Sequence, residues 1–262
     1  MQGMLDLVRG QFGTSRAKFL SGLKLATNVN HYEYMIANHF GIGALFLELA
    51  VPERARVHAE SALQLAKGLH SQAMINYSVA VLAGAHIQLG EMTAAQSCLD
   101  KVLSIAASMD TIGKRYCWVR QVELALSSGE PGKVLDITER LIRSAPDMKS
   151  GSVIPYLWKI KADAFTAMGQ AEKAIPMLLE AQKTALENGE VFLLWKLHAS
   201  LSRVYRELGQ ESEANHQQNK TQDQIQWLAD TIPDGELKNH FVQSANERLT
   251  SSFQRDKKKT LN

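Results

Sequence analysis

Three tyrosines, Tyr77, Tyr116 and Tyr156, stand 39 and 40 residues apart. Tyrosine offers a large stiff apolar face with one hydroxyl at its tip, chemistry that grips a peptide rather than making or breaking a bond. Polar and apolar side chains recur at related spacings. Phe40, Leu47, Glu48 and Gln88 come from the first part of the chain, and Glu123, Lys159, Asp163, Arg203, Arg206 and Glu207 from the second. Arg203 and Arg206, three residues apart, share a helix face and could clamp a carboxylate by paired charged hydrogen bonds. Together these thirteen residues are the candidate partner-binding set.

Bond-making chemistry finds little support. Gly41-Ile-Gly43-Ala-Leu-Phe46 lacks the third glycine of a dinucleotide loop and follows no strand, so it reads as small residues at a helix crossing. No Gly-Lys-Ser/Thr phosphate loop, HExxH or Gly-x-Ser-x-Gly occurs. His39, His86 and His198 fall where related positions hold aromatic or apolar residues, and are expected to be structural. Cys98 and Cys117 read as small buried hydrophobes, and two cysteines make neither a disulfide framework nor a cysteine-rich zinc site. Carboxylates such as Glu187/Glu190 lie near turns. An all-helical sugar hydrolase would need many stacking aromatics, and these are 7% of residues. The expectation is a protein that is not an enzyme, with no cofactor and no metal.

The elements that must position the binding set follow from a repeat. Turn signals occur at Leu49-Ala50, Leu89-Gly90, Ser128-Gly129, Met168-Gly169 and Leu208-Gly209, at steps of 40, 39, 40 and 40 residues. Five residues after each turn stand Ala55, Ala95, Val134, Ala174 and Ala214; nine after come Ala59, Leu99, Thr138, Leu178 and Gln218, and twelve after Ala62, Val102, Leu141, Ala181 and Thr221. Those offsets mark one helix face, with a small residue where two helices cross closely. Four before each turn come Phe46, His86, Ala125, Phe165 and Tyr205. Each period therefore holds two helices of roughly 14–18 residues joined by a tight glycine turn. Trp158-Lys-Ile-Lys-Ala162-Asp-Ala-Phe165, with Gly169 and Ala174, resembles the tetratricopeptide pattern, and Trp118 occupies the same position one repeat earlier. The period of about 40 exceeds the family's usual 34 residues, as in the longer-helix variants of bacterial signalling proteins. The resemblance implies an all-α, right-handed α-solenoid whose first helices line a concave face.

The expected organisation is a partial repeat in 1–30, five helix-pair repeats in 31–222, capping helices in 223–250 and a disordered basic tail in 251–262. Leu5, Leu7, Val8 and Phe12 make a poor polar cap, so an exposed apolar N-terminal face, open to another domain or a second copy, is expected. The chain is also expected to be a truncated or natural piece of something larger. The segment Leu228-Ala229-x-x-Ile232-Pro233-Asp234-x-x-Leu237-x-x-x-Phe241 resembles the tails of tetratricopeptide arrays in large bacterial signalling proteins of ATPase, cyclase, kinase or transcription-activator type.

Composition fits. The 262 residues carry 29 Lys+Arg against 27 Asp+Glu, and 45% are hydrophobic, as in a packed protein. A net charge of +2 gives no general reason to bind nucleic acid or membranes. The longest apolar run, 42–51, is interrupted by Glu48 and too short to span a bilayer. The N-terminus has no secretory pattern. A cytoplasmic protein is expected, acting as a scaffold or regulatory module that binds a protein or peptide in its groove. The alternative is a small-ligand sensor, which calls for a closed pocket with convergent polar groups instead of an open groove.

Overall fold

The computed structural model describes residues 2–104, 108–145 and 153–259. Among them are thirteen helices and no strand: α1 (Gln2–Val8), α2 (Phe12–Asn28), α3 (Tyr32–Glu48), α4 (Pro52–Gly68), α5 (Gln72–Gln88), α6 (Met92–Asp100), α7 (Ile112–Ser127), α8 (Pro131–Arg143), α9 (Pro155–Ala167), α10 (Ala171–Asn188), α11 (Val191–Glu207), α12 (Glu211–Asp230) and α13 (Gly235–Lys259). This is an all-α repeat fold of helix pairs, α1–α2 through α11–α12, closed by α13. Helix length varies more than the even period suggests, since α6 has nine residues and α8 and α9 thirteen.

The turns share one geometry. After α5 the Gly90 N–H donates to Ile87 O and the Glu91 N–H to His86 O, the crossed pair of bonds that satisfies the last carbonyls of a helix. Gly90 carries φ +78° there, a left-handed conformation that glycine takes without a Cβ clash. The same left-handed link also joins successive pairs, at Asn30, His70 and Gly189. The 40-residue period is thus two nearly equal 20-residue halves, a symmetry hidden in the sequence because only some of these links hold glycine.

The small-residue stripe of the second helices is the packing surface. Ala55, Ala59 and Ala62 are fully buried, as are Val134, Thr138 and Leu141, and Ala174, Leu178 and Ala181. In α12 the stripe continues without a break through Ala214, Gln217, Thr221, Ile225, Leu228 and Ala229. The helix expected to start a cap after 222 is therefore the end of α12, and Pro233 separates it from α13. The tail expected without structure from Ser251 continues as helical backbone through Lys259, no Pro or Gly interrupting it; 260–262 lie outside the described residues.

The chain's two ends meet, so the N-terminal apolar face is not open as expected. Leu7, Phe12 and Phe19 are buried in one core with Ile225, Leu228, Ile232, Leu237 and Phe241. The Phe12 and Phe241 rings meet edge to face, centroids 5.8 Å apart. The Thr231 hydroxyl lies within hydrogen-bond reach of both Gly10 O at 2.9 Å and Leu228 O at 2.7 Å, and its oxygen accepts the Phe12 N–H at 3.2 Å. The Gly13 N–H donates to Thr231 O at 3.0 Å. Arg16 pairs with Asp234 across the same seam. The surface offered to a second copy is covered by the chain's own α12 and α13, because burying both apolar ends on each other is more favourable than leaving either in water. Leu5 alone of the four stays exposed. The Gly41-x-Gly43 string is indeed a helix crossing: a Cβ on Gly41 would lie 2.2 Å from the Phe19 ring, and one on Gly43 2.7 Å from Val81.

The structural histidines all find partners. His86 bonds Glu91 Oε2 at 2.5 Å and His198 bonds Gln217 Oε1 at 2.6 Å. His39 and His58 face each other with Nδ1 atoms 2.9 Å apart, so one ring donates and the other accepts. Burial, then the His58 ring, push the His39 pKa down to about 4, and burial lowers that of His58.

Two tests follow from the packing. Gly13→Ala adds a helix-favouring residue in the first turn of α2, but its Cβ would lie 2.4 Å from Thr231 O. Urea unfolding should show a loss of about 1–3 kcal/mol; a gain would mean the ends do not meet this closely. For the His39–His58 pair, the folded state binds fewer protons than the unfolded chain once pH falls below the ordinary histidine value near 6.5. Its stabilising contribution is complete above that pH and is lost progressively towards about 4. His39→Phe should flatten the decline of the unfolding midpoint between pH 7 and 5; an unchanged slope would remove the pair from the account.

Candidate binding cavity

The first helix of each pair carries its polar residues inward, and end-to-end closure brings those of distant repeats together. A cavity of about 310 Å³ results. It is lined by the ends of α3 (Leu47, Glu48) and α5 (Ile87, Gln88), by Arg120, Glu123, Leu126 and Ser127 of α7, and by Tyr156, Lys159 and Ile160 of α9. Trp195, Lys196, Ala199, Ser200 and Arg203 of α11 and Arg248 and Leu249 of α13 complete it.

Hydrogen bonds link these helices in turn. The Gln88 amide donates to Leu47 O at 3.0 Å, joining α5 to α3. Arg120 donates to both Glu123 oxygens, at 2.7 and 2.6 Å, and the Tyr156 hydroxyl donates to Glu123 from α9. Lys159 Nζ reaches Asp163 at 2.7 Å. From α11, Ser200 and Arg203 donate to the other Asp163 oxygen at 2.8 and 2.5 Å. Lys196 then crosses to Glu48 of α3 at 2.5 Å, a pair 148 residues apart in sequence. Arg248 donates to the Gln88 side chain at 3.1 Å, tying α13 to the rim.

Electrostatics follow from these contacts. Burial opposes the charge on Glu123, but Arg120 and the Tyr156 hydrogen bond outweigh it and hold its carboxyl below the ordinary value. Burial likewise opposes the charge on Asp163, and Lys159 and Arg203 overcome it. Burial and the neighbouring Glu123 raise the Tyr156 hydroxyl well above its ordinary value, so it stays a protonated donor. Burial lowers the Lys196 ammonium; Glu48 opposes that shift, and Arg248 and Lys159 add to it.

The thirteen residues picked out by spacing separate into three groups. Leu47, Glu48, Gln88, Glu123, Tyr156, Lys159 and Arg203 line the cavity, and Asp163 lies buried between Lys159 and Arg203. Phe40, Tyr77 and Tyr116 form an aromatic trio, with centroids 5.2 Å apart for Phe40–Tyr77 and 5.9 Å for the other two contacts. Tyr156 leaves the tyrosine series to join the charged network. Arg206 turns away to α12, where it donates to Gln218 at 2.8 Å, so it forms no clamp with Arg203. The two arginines part because three residues advance a helix by about 300°, enough to aim neighbours at different elements. Glu207 is exposed beyond the lining.

Spacing missed Arg120, Trp195, Ser200 and Arg248. Arg120 and Ser200 both stand nine residues before their turns, a phase that holds Gly41, Val81 and Ile160 elsewhere and so shows no polar pattern. Arg248 lies outside the repeats. Lys196 stands 40 residues after Tyr156, where the tyrosine series ends.

Asp163→Asn should leave Lys159 and Arg203 around a neutral group in a nearly enclosed site, and cost about 3–5 kcal/mol in urea unfolding at neutral pH. A loss below about 1 kcal/mol would show that water already screens the cluster.

Residues 78–109 match the tetratricopeptide repeat family. Tetratricopeptide-like repeats of a kinesin light chain-type protein from Podosopora anserina share the fold with a TM-score of 0.50, at 15% identity over 72% of this chain and 94% of that one. A tetratricopeptide repeat protein from Parabacteroides merdae does so with a TM-score of 0.50, at 16% identity over 93% of this chain and 81% of that one. At such identities the likeness speaks for the fold. No curated protein matches the sequence. The chain thus carries a tetratricopeptide repeat and the all-α repeat fold of tetratricopeptide proteins. Among the described residues no helix is long and apolar enough to cross a membrane, and no three His, Cys, Asp or Glu side chains cluster as metal ligands would.

Proposed function

We propose that this tetratricopeptide-repeat chain is a non-catalytic binding module. It takes a segment of a partner protein along the concave face of its first helices. Tetratricopeptide repeats mediate protein–protein interaction, and the observation that supports this face is the pairing of two chemistries on the same helices. α3 carries Phe40 and Glu48, α5 carries Tyr77 and Gln88, and α7 carries Tyr116 and Glu123. On each, the aromatic and the polar residue stand roughly two to three turns apart along the helix. Tyr116 is exposed, and Phe40 and Tyr77 are half-buried, so the trio offers a seat for an apolar side chain. A partner segment with an apolar anchor followed by charged residues fits this order. The scaffold or signalling context implied by the 228–241 segment, and a cytoplasmic setting, belong to the same reading.

A second reading has its own support. Closure of the ends and the presence of Arg248 and Leu249 narrow the polar half of the face into a cavity. A cavity with convergent polar groups fits a small ligand that regulates the module.

The test of the protein-binding reading is quantitative affinity capture followed by mass spectrometry, comparing three forms of the chain. Tyr77→Ala/Tyr116→Ala should lose the proteins that the wild type retains by roughly tenfold or more, as for a dismantled anchor. Glu180→Ala/Lys183→Ala, on the outer surface of α10, should retain them. Identical recovery with all three forms would place binding elsewhere.

A further inference from the structure

The aromatic trio carries two hydrogen-bonding groups that the fold leaves unused. Phe40, Tyr77 and Tyr116 come from three successive first helices, α3, α5 and α7, with ring centroids 5.2 to 5.9 Å apart. Leu47 and Glu123, seven residues after Phe40 and Tyr116, line the cavity, and seven residues are about two helical turns. The trio therefore lies on the same face as the cavity, set back from its charges. Among the described residues, neither the Tyr77 nor the Tyr116 hydroxyl finds a hydrogen-bond partner. Burial, then the neighbouring Tyr116, raise the Tyr77 hydroxyl above its ordinary value, so it stays a protonated donor. The positions one helical turn to either side of the three rings hold alanine, glycine, isoleucine, valine, methionine and Arg120, with no side-chain oxygen among them. α5, the middle helix, carries no Asp, Glu, Lys or Arg. This floor offers aromatic faces and hydroxyl donors, and beyond the tyrosine oxygens those positions give a visiting N–H nothing to bond.

That pattern selects both the conformation and the composition of an occupant. A helical segment has spent its carbonyls on its own N–H groups, so two hydroxyl donors gain little from it. An extended segment keeps its carbonyls free, but its N–H groups would be covered here without acceptors, which costs free energy. Proline removes that cost, because it has no N–H. Its φ, fixed at about −65°, also favours the extended polyproline helix, in which every carbonyl stays available. An uncharged middle helix matches an uncharged run of residues. We propose that the apolar anchor of the partner is an extended, proline-rich segment without charge at its centre. Its rings lie on Phe40, Tyr77 and Tyr116, and its carbonyls accept from the two tyrosine hydroxyls. Tyr77 and Tyr116 then set specificity: phenylalanine in either place would keep the apolar seat and lose the bond to the partner's backbone. The proposal names the partner chemistry of the protein-binding reading above and rests on it.

The experiment is fluorescence polarisation on the full chain with two labelled peptides. One is Pro-Leu-Pro-Pro repeated three times; the other replaces each proline by alanine and is free to form a helix. The proline peptide should bind with a dissociation constant of about 100 μM or below, and the alanine peptide at least about tenfold more weakly. Tyr77→Phe/Tyr116→Phe keeps both rings and breaks no hydrogen bond among the described residues, so the fold should be undisturbed; circular dichroism melting checks this. This variant should weaken the proline peptide roughly tenfold or more, the effect of two lost neutral hydrogen bonds. Glu180→Ala/Lys183→Ala should leave it unchanged. Binding that the double phenylalanine variant retains in full would overturn the proposal, as would no binding of the proline peptide. If the alanine peptide binds as tightly as the proline one and Tyr77→Ala/Tyr116→Ala abolishes it, the proline-rich class falls while the aromatic anchor stands. The broader protein-binding reading fails on a different result, partner recovery in affinity capture that Tyr77→Ala/Tyr116→Ala leaves unchanged.

Discussion

Thr231 sits where the chain returns to its own beginning. Its hydroxyl lies within hydrogen-bond reach of Gly10 O, its oxygen accepts the Phe12 N–H, and its carbonyl accepts the Gly13 N–H. Behind these polar contacts Phe12 meets Phe241, and Leu7 and Phe19 share a core with α12 and α13. In an open helical repeat each unit touches only its neighbours, and both ends need polar caps. Here each end caps the other. The close approach depends on Gly10 and Gly13, where any side chain would run into Leu228 or the Thr231 carbonyl. Two backbone positions without a Cβ therefore permit this close approach of the ends.

Closure is also what makes a binding cavity out of a groove. Glu48 and Lys196 belong to the first and fifth full repeats, and only a meeting of ends puts them 2.5 Å apart. Once enclosed, charges cost more to leave unpaired, because the surrounding dielectric falls. That explains why each carboxylate of the cavity has a cation or a hydroxyl in contact. Some pairings stay on one helix, Arg120–Glu123 in α7 and Lys159–Asp163 in α9, and others cross between helices, Lys196–Glu48 and Arg203–Asp163. An exposed ion pair contributes little to stability; these, with the Tyr156–Glu123 bond, contribute by joining α3, α7, α9 and α11 about a common space. The aromatic trio, at the less charged part of the face, needs no such partners and remains partly open to water.

Local geometry was legible in the sequence and long-range geometry was not. The helix pairs, their turns and the buried stripe at Ala55, Ala95, Val134, Ala174 and Ala214 follow from periodicity, which depends on residues a few positions apart. Eight of the thirteen spaced candidates, Asp163 included, gather at the cavity because the same periodicity fixes which face of a first helix looks inward. Leu7 and Phe12 were read as exposed because nothing in a one-dimensional pattern tells an end that it will be covered by residues more than 200 positions away. Arg206 was paired with Arg203 on a helix face broad enough for both, but α12 offers Gln218 to one and α9 offers Asp163 to the other. Arg248 carried no signal at all, since α13 lies outside the repeat that organises everything else.

α13 is the element through which these two constraints act on each other. Near its start it follows the seam, where Asp234 pairs with Arg16; His240 then bonds Ala50 O at the first full turn, and Arg248 reaches Gln88 at the second. It therefore lies across the C-terminal ends of successive first helices and closes the cavity from one side. Any occupant that contacts both α13 and the inner face of α11 binds the docked state more tightly than an undocked one. By linkage it must then strengthen the docking of α13 by the same free energy.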